Sequence, residues 1–173
     1  KSEGIYFKNG KREGLKTFWY ESGKKKYQTH YKNGKKEGLE TEWYESGGKR
    51  MEIQYKNGKE EGLKTFWYES GEKESETLFK NGKSELTTFW YESGKKKHEI
   101  HTKNRKPEGL ATVWYADGKK WTEIHYKNGK KEGLETEWYK NGKKKHTKHF
   151  KNGIENGIRK EWNEDGKKTF QGN

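Results

Sequence analysis

A near-constant spacing of tryptophan residues constrains the fold of this chain more than any other feature. Seven tryptophans recur at intervals of 24 residues, with one interval of 23: Trp19, Trp43, Trp67, Trp90, Trp114, Trp138 and Trp162. Trp121 alone lies outside this series. A fixed period of this length is typical of repeat architectures, in which each unit is stabilised by its neighbours. The spacing predicts one tandem-repeat domain, residues 1–173, of about seven units.

Two turn signals recur in each unit, which reads approximately Y-K-N-G-K-K-E-G-L-x-T-x-W-Y-E-S-G-K-K-K. K-N-G is the first turn signal and E-S-G is mostly the second. Between them lie roughly eight residues rich in Thr, Tyr, Trp and Phe, which is the length and composition of a strand. We therefore predict an all-β fold, an elongated single-layer antiparallel β-meander with two strands per repeat. A sheet of this kind is expected to be twisted or curved.

Loop length decides which side chains share a face, because side chains alternate along a strand. We expect three-residue loops, Glu21-Ser22-Gly23 and Lys32-Asn33-Gly34, since two-residue loops would mix apolar with polar residues. The expected register places these residues on one structural face: Leu39, Thr41, Trp43, Met51, Ile53 and Tyr55. It also opposes Glu42 to Arg50 and Glu137 to Lys145, and sets Phe18 and Phe89 against the stems of Lys26 and Lys97.

The opposite face is the candidate binding face. It carries a column of tyrosines that stand among lysines: Tyr20, Tyr44, Tyr68, Tyr91, Tyr115 and Tyr139. We predict a binding role for this column and for Lys95, Lys96 and Lys97, although cross-strand tyrosine packing is also common in sheets. The seven regularly spaced tryptophans are predicted to be structural, with a carbohydrate-stacking ladder as the alternative. Lysine clusters beside turns can be solvated edge protection or contacts to phosphate or acidic protein.

Composition excludes an ordinary globular core, since only 25% of the residues are hydrophobic and 39% are charged. The chain has no cysteine, which excludes disulfides and Cys-zinc sites. The net charge of +13 favours acidic partners. We expect a soluble protein, because no segment resembles a membrane span or a signal peptide. The chain begins at Lys1 without Met, which fits a processed N-terminus or a fragment, and its localisation stays open.

Catalysis and metal binding are not expected. An active site needs a unique constellation of polar groups, whereas nearly every polar residue here is repeated. The pairs His98/His101 and His146/His149 are three residues apart, so on a strand their side chains point to opposite faces. We therefore predict a non-enzymatic protein without metal or cofactor.

The recurring Y-K-N-G-K-x-E-G-L-x-x-x-W-Y-x-x-G-K, as in residues 31–49 and 126–143, resembles the MORN-repeat variant of bacterial proteins, including YwqK-type antitoxins. The resemblance implies a β-hairpin array with a binding or scaffolding role and no catalytic residues. It also implies that self-association is possible, and some classical MORN proteins associate with membrane lipids. This sequence departs from the pattern at four positions: the missing Gly before Leu86, Thr102, Arg105 and Asn163. We expect irregular packing around residues 84–106.

Two classes of function are compatible with these patterns. The first is a scaffold for protein–protein interaction, which includes an antitoxin-like role. The second is a surface or polymer-binding module for an anionic glycan, lipid or nucleic acid. The tyrosine column, with lysines that steer the encounter, is the expected contact surface in both.

Overall fold

The structure is a computed structural model that describes residues 2–3 and 6–172. Strands joined by turns make up the regular structure, and no helix occurs among the described residues. All the strand pairs in the described residues are antiparallel, so the predicted all-β meander is confirmed. Lys1 and Asn173, the ends of the predicted repeat domain, lie outside the described residues.

The chain divides into two compact units, Lys1–Glu85 and Leu86–Asn173. The first unit contains β1 (Ser2–Glu3), β2 (Tyr6–Lys8), β3 (Lys11–Trp19), β4 (Lys25–Lys32), β5 (Lys35–Lys36), β6 (Gly38–Trp43), β7 (Lys49–Lys56), β8 (Lys59–Trp67) and β9 (Lys73–Lys80). Within this unit β3 pairs with β4, β5 and β6 both pair with β4, and β6 to β9 pair in chain order. The result is a meander of hairpins.

The boundary between the units falls inside β10 (Lys83–Trp90), where the usual glycine before Leu86 is missing. The second unit continues with β11 (Lys96–Lys103), β12 (Lys106–Trp114), β13 (Lys120–Lys127), β14 (Lys130–Trp138), β15 (Lys144–Lys151), β16 (Ile154–Glu155), β17 (Arg159–Trp162) and β18 (Lys168–Gly172). Irregular packing was expected near this boundary. The β11–β12 register nevertheless shifts after Ile100 as the β13–β14 register shifts after Ile124, so the strand pairing here follows the other repeats.

The E-S-G turns are three-residue loops, as predicted. In the first of them Tyr20 N donates to Lys24 O at 2.9 Å, and Gly23 N donates to Tyr20 O at 3.0 Å. Gly23 has a φ of +82°. This is the arrangement of a type I turn followed by a left-handed residue, which glycine adopts at the lowest cost. Tyr44, Tyr68, Tyr91, Tyr115 and Tyr139 close the later loops with the same pair of bonds.

The K-N-G turns have two-residue loops, so the three-residue loop predicted for Lys32-Asn33-Gly34 is wrong. Lys32 pairs directly with Lys35, which leaves only Asn33 and Gly34 in the loop. Their φ angles are 51° and 81°. Positive φ at both central positions is what a type I′ turn requires, and Asn is one of the few residues that tolerate it. The loop therefore consists of Asn33 and Gly34 alone, and Lys32 belongs to the strand.

A β-bulge lies opposite each of the seven regularly spaced tryptophans, on the strand that follows it, and reverses the expected faces. In the first repeat Phe18 pairs with Tyr27 but Trp19 pairs with Lys25, so Lys26 is an extra residue. The same register shift recurs at Glu42/Trp43, Phe66/Trp67, Phe89/Trp90, Val113/Trp114, Glu137/Trp138 and Glu161/Trp162. One inserted residue moves every later side chain of that strand to the other face.

The predicted face assignment is therefore wrong. Met51 and Ile53 pair with Glu42 and Glu40, while Leu39 pairs with Gln54. Because directly paired residues share a face, Met51 and Ile53 lie with Tyr44 rather than with Trp43. The second-strand aromatic residues lie there too, since Tyr55 pairs with Gly38. We name the two faces by these residues: the tyrosine face bears Met51, Ile53 and the tyrosine column, and the leucine face bears the Leu, Thr and Trp of each first strand.

The buried apolar side chains lie mainly on the tyrosine face: Tyr31, Met51, Ile53, Ala111 and Ile124. The leucine face buries instead a row of threonines: Thr17, Thr41, Thr65, Thr88, Thr112 and Thr136. Their partners across the strands include Gln28, Glu52, Glu76 and Glu123. The apolar core is thus a thin strip along one side of the hairpins, and the other side is held by polar pairs.

Candidate binding surfaces

The hydroxyls of the tyrosine column are used inside the structure. Five of them donate to the backbone carbonyl of the tryptophan in the next repeat: Tyr20 to Trp43 at 2.6 Å, Tyr44 to Trp67 at 2.6 Å, Tyr91 to Trp114 at 2.8 Å, Tyr115 to Trp138 at 2.8 Å and Tyr139 to Trp162 at 2.9 Å. Tyr68 holds the equivalent sequence position. Donor and acceptor are 23 residues apart in the sequence, so these phenols join neighbouring repeats within each unit and stabilise them.

In four repeats the extra residue of the bulge lies against the ring of the tyrosine. The Nζ atoms of Lys26, Lys97 and Lys145 lie 5.2, 5.5 and 5.9 Å from the ring centroids of Tyr20, Tyr91 and Tyr139. These are cation–π distances. In the fifth repeat Trp121 takes the position of the lysine and stacks on Tyr115 at 5.8 Å. Trp121 breaks the tryptophan period because it belongs to the bulge series instead.

The contacts expected for Phe18 and Phe89 are also corrected by the bulge. Lys26 lies over Tyr20, and Phe18 contacts Tyr27 with ring centroids 6.0 Å apart. Lys97 lies over Tyr91, and Phe89 stacks on His98 at 5.9 Å. The charge pairs expected on this face do form: Arg50 to Glu42 at 2.8 Å and Lys145 to Glu137 at 2.7 Å.

The three lysines at 95–97 do not form one patch. Lys95 lies in the turn, where its Nζ donates to the Asp117 carbonyl at 2.9 Å. Lys96 is on the leucine face, where it pairs with Glu99 at 2.6 Å and lies 5.6 Å from the Trp114 ring. Lys97 covers Tyr91 on the tyrosine face. The structure therefore separates these predicted binding residues into three different contacts.

A carboxylate with little exposure to solvent forms polar contacts on the tyrosine face of each unit. In the first, Glu40 accepts a hydrogen bond from the Tyr27 hydroxyl at 2.7 Å and forms an ion pair with Lys36. Burial and the bond to Glu40 raise the pKa of Tyr27. A carboxylate bonded in this way is not available to a ligand.

In the second unit Glu135 occupies the corresponding place. It pairs with Lys131 at 2.5 Å, and His146 Nε2 lies 3.5 Å from its Oε1. The interaction with His146 lowers the pKa of Glu135, burial raises it, and Lys131 lowers it further; the resulting pKa is about 2. Groups that favour the charged form outweigh burial here, so the carboxylate stays ionised at neutral pH.

The regularly spaced tryptophans are half-buried and are braced by lysines of the preceding repeat. Lys49 Nζ lies 5.8 Å from the Trp67 ring centroid and pairs with Glu52 at 2.5 Å. Lys25, Lys96 and Lys120 lie over Trp43, Trp114 and Trp138 in the same way. This lysine cover favours the predicted structural role of these tryptophans over a carbohydrate-stacking one, since a sugar would need the open ring face.

Exposed leucines form the surface that the sequence analysis missed. Five leucines of this series are strongly exposed: Leu15 at 46%, Leu39 at 48%, Leu63 at 51%, Leu110 at 38% and Leu134 at 43%. Leu86, the equivalent residue of the fourth repeat, is half-buried. Their cross-strand partners are His30, Gln54, Leu78, His125 and His149. Leu78, the partner of Leu63, is the one apolar residue among them and is itself 37% exposed. The sequence did contain a signal for this surface. Two-residue loops, which were set aside because they mix apolar with polar residues, place Gln28 and His30 on the same face as Leu15. Recurring exposed apolar side chains mark interaction surfaces.

The K-N-G turns of successive repeats are bonded to one another. Gly34 N donates to Arg12 O at 2.8 Å, and Asn33 N donates to Glu13 Oε2 at 2.7 Å. Four later turns repeat the glutamate bond: Asn57 to Glu37, Asn81 to Glu61, Asn128 to Glu108 and Asn152 to Glu132. This contact explains the glutamate of E-G-L, which joins one repeat to the turn of the next.

The described residues contain no group of three or more His, Asp or Glu that could hold a metal ion. His98 pairs with Phe89 and His101 pairs with Leu86, so the two histidines lie on opposite faces, as the strand argument predicts. No described segment forms a helix with the length and hydropathy needed to cross a lipid bilayer.

Antiparallel hairpins that are joined from one repeat to the next by tyrosine and glutamate hydrogen bonds define a β-hairpin repeat protein. Six segments match the family model described as MORN repeat variant: residues 12–33, 36–57, 60–81, 86–104, 107–128 and 131–152. These segments cover well over half of the chain, so it belongs to the MORN repeat variant family. Among curated proteins, none matches the chain.

Proposed function

We propose that this chain is a non-catalytic scaffold that binds a protein partner along the leucine face. The observation that carries the proposal is the row of five leucines on this face, Leu15, Leu39, Leu63, Leu110 and Leu134, which are between 38% and 51% exposed. Apolar side chains at regular intervals provide the desolvated contact area that protein interfaces need. Family membership supports the same class, because MORN repeats are generally found in repeat proteins that bind proteins or membranes.

The partner is expected to be acidic. The chain carries a net charge of +13, and lysines stand on both sides of the leucine row. On strand β8, for example, Lys59 begins the strand, Leu63 follows on the same face, and Lys49 of the neighbouring strand covers Trp67 at the far end. Such a surface suits a partner whose apolar residues are flanked by carboxylates, and the charges would raise the association rate. The same net charge opposes self-association.

The absence of enzymatic activity belongs to this proposal. The carboxylate of Glu40 is bonded to Lys36 and Tyr27, and that of Glu135 to Lys131 beside His146, which leaves them no acid–base task. Neutralisation of a toxin, as in YwqK-type antitoxins, is one form of protein binding that this surface would permit.

Selection of displayed random peptides on the immobilised chain tests the proposal. Enriched peptides should combine Leu, Ile or Phe with Asp or Glu. The triple variant Leu15→Ser, Leu39→Ser and Leu63→Ser should bind them at least about 10-fold more weakly, which corresponds to about 1.4 kcal/mol. A matched triple variant of the other face, Tyr20→Phe, Tyr44→Phe and Tyr91→Phe, keeps the rings and should bind within about 3-fold of the wild type.

Two results would contradict the proposal. Peptides that bind the leucine variant as well as the wild type would remove the leucine face from the interaction. Loss of binding in the tyrosine variant alone would return the binding role to the tyrosine column. Melting curves of both variants separate loss of binding from loss of folding.

A further inference from the structure

The K-N-G turns and the E-S-G turns form two rows, and the lysines of the two rows differ in the partners that they contact. At the K-N-G turns, lysines lie directly opposite one another: Lys32 with Lys35, Lys56 with Lys59, Lys103 with Lys106 and Lys127 with Lys130. Like charges in this position destabilise a sheet. Within the described part of the chain, none of these eight lysines lies in an ion pair with a carboxylate. Each unit therefore carries a row of uncompensated positive charge along this edge.

The nearest carboxylates and amides of this edge are already occupied. The E-G-L glutamates accept the N–H of Asn33, Asn57 and Asn128 at 2.6 to 2.7 Å. The glycine N–H that follows donates to a backbone carbonyl of the preceding repeat. A peptide cannot add to this edge as a further strand, because strand addition needs free backbone groups.

The E-S-G turns show that this arrangement is not a general property of turns in the chain. There the lysines donate to backbone carbonyls of the next repeat: Lys24 to Glu45, Lys95 to Asp117, Lys119 to Lys140 and Lys143 to Asp165. Acidic residues stand in the same loops, among them Glu21, Glu45 and Asp117. The charge of this second row is mixed, and its ammonium groups have partners.

We infer that the K-N-G turn row is a second binding site, distinct from the leucine face, which takes a linear anionic polysaccharide. The turns at residues 32–35, 56–59 and 127–130 each present two lysines with an exposed asparagine side chain between them, so charged groups and hydroxyls of a sugar chain find partners in alternation. Between two consecutive turns a groove is lined by Lys56, Asn57, Lys59, Glu61 and Asn81. Successive turns lie two strand spacings apart, about 10 Å, so one extended chain contacts several turns.

Other polyanions fit this edge less well. Single-stranded nucleic acid needs open aromatic rings for base stacking, but Arg12 lies over the buried Tyr31 and Lys36 lies over Tyr55. Arginine is the side chain suited to bidentate phosphate contacts, and the turns carry lysine with the single exception of Arg105. A membrane surface site would insert apolar side chains, and the four turns with opposed lysines contain only Lys, Asn and Gly apart from Arg105.

Binding of a labelled heparin oligosaccharide, at low and at physiological salt, tests the inference with two variants of equal charge. One variant carries Lys→Gln at Lys32, Lys35, Lys127 and Lys130, and the other at Lys24, Lys95, Lys119 and Lys143. The first should weaken binding at least about 10-fold and flatten its salt dependence, while the second should change it less than about 3-fold. The leucine triple variant should bind heparin normally, which separates this site from the proposed protein-binding surface.

Equal losses in the two lysine variants would mean that only net charge matters and would overturn the inference. Duplex DNA or phosphatidylserine vesicles that discriminate between the variants as strongly as heparin would overturn the assignment to polysaccharide. The K-N-G variant removes opposed like charges, so its melting temperature should not fall. If it does fall, Lys127→Gln with Lys130→Gln alone repeats the comparison, and binding equal to the wild type would again overturn the inference.

Discussion

The tyrosine face and the leucine face share one backbone but use their large side chains in opposite ways. On the tyrosine face Ile53 is 0% exposed, and the tyrosine hydroxyls donate to backbone carbonyls. On the leucine face Leu39 and Leu63 are about half exposed, although each is only a few residues from a buried threonine. The large side chains of the tyrosine face are therefore used for packing and hydrogen bonding, whereas the leucines of the other face remain partly open to solvent.

The difference shows that residue type alone does not separate structural from binding residues in a single sheet. Tyrosines among lysines look like a contact surface, yet their polar and apolar parts both have internal partners. Leucine looks like a core residue, yet the leucine of E-G-L follows a glycine with φ near +80°, such as Gly62 at 75°. At this point the register with the preceding strand shifts, as between Glu61 and Lys64. The leucine side chain lies on the leucine face, opposite His30, Gln54 or Leu78 in the first three repeats, and not in the apolar strip.

The largest expected effect is a loss of stability on the tyrosine face. Ile53→Ala should lower the free energy of unfolding of the first unit by about 2–4 kcal/mol, because it leaves a cavity in the apolar strip. Leu63→Ala is the matched change on the leucine face and should cost less than about 1 kcal/mol. Denaturant unfolding followed by tryptophan fluorescence measures both. Similar losses at the two positions would remove the distinction between the faces.

A pH effect of intermediate size is expected from Glu135. Its pKa in the folded chain is about 2, below the ordinary value of 4.5, so its stabilising contribution is complete above about pH 4.5 and is lost as the pH falls towards 2. At neutral pH the free energy of unfolding of the wild type should exceed that of Glu135→Gln by on the order of 2 kcal/mol. This difference should disappear as the pH falls from about 4.5 towards 2. A gap that stays constant with pH would show that the carboxylate charge has no such role.

A smaller effect is expected from one phenol. Tyr44→Phe keeps the ring but removes the bond to the Trp67 carbonyl, and should cost about 1 kcal/mol. Tyr6→Phe is the control, since Tyr6 is 58% exposed and should change stability by less than about 0.3 kcal/mol. Thermal melts of the two variants give the comparison, and equal melting temperatures would argue against the tyrosine column as an inter-repeat connection.

The smallest expected effect is a gain in stability at the irregular turn. Arg105 has a φ of 63°, where a glycine stands in the other K-N-G turns. Arg105→Gly should stabilise the second unit by about 0.5–1 kcal/mol, because the strain of a left-handed arginine exceeds the entropy that glycine adds to the unfolded chain. Asn33→Gly should be nearly neutral, since Asn tolerates this conformation. A destabilised Arg105→Gly would indicate that the arginine side chain makes a stabilising contact.

The repeat, the strands and the E-S-G loop could be predicted from the sequence because their signals are local: tryptophan spacing, strand composition, and a glycine that needs positive φ. The two faces could not. The extra residue of the bulge is Lys26, Arg50, Glu74, Lys97, Trp121 or Lys145 in successive repeats, so no residue type marks it. The bond from Asn33 N to Glu13 crosses 20 residues and likewise has no local signal.

Thiol labelling tests the reversal of the faces most directly, because the chain contains no cysteine and each introduced one reports alone. Leu39→Cys and Leu63→Cys should react with a soluble thiol reagent at rates within about 10-fold of the unfolded chain. Met51→Cys and Ile53→Cys should react at least about 100-fold more slowly, since they must wait for local opening. Protection at positions 39 and 63 together with fast labelling at 51 and 53 would contradict the account.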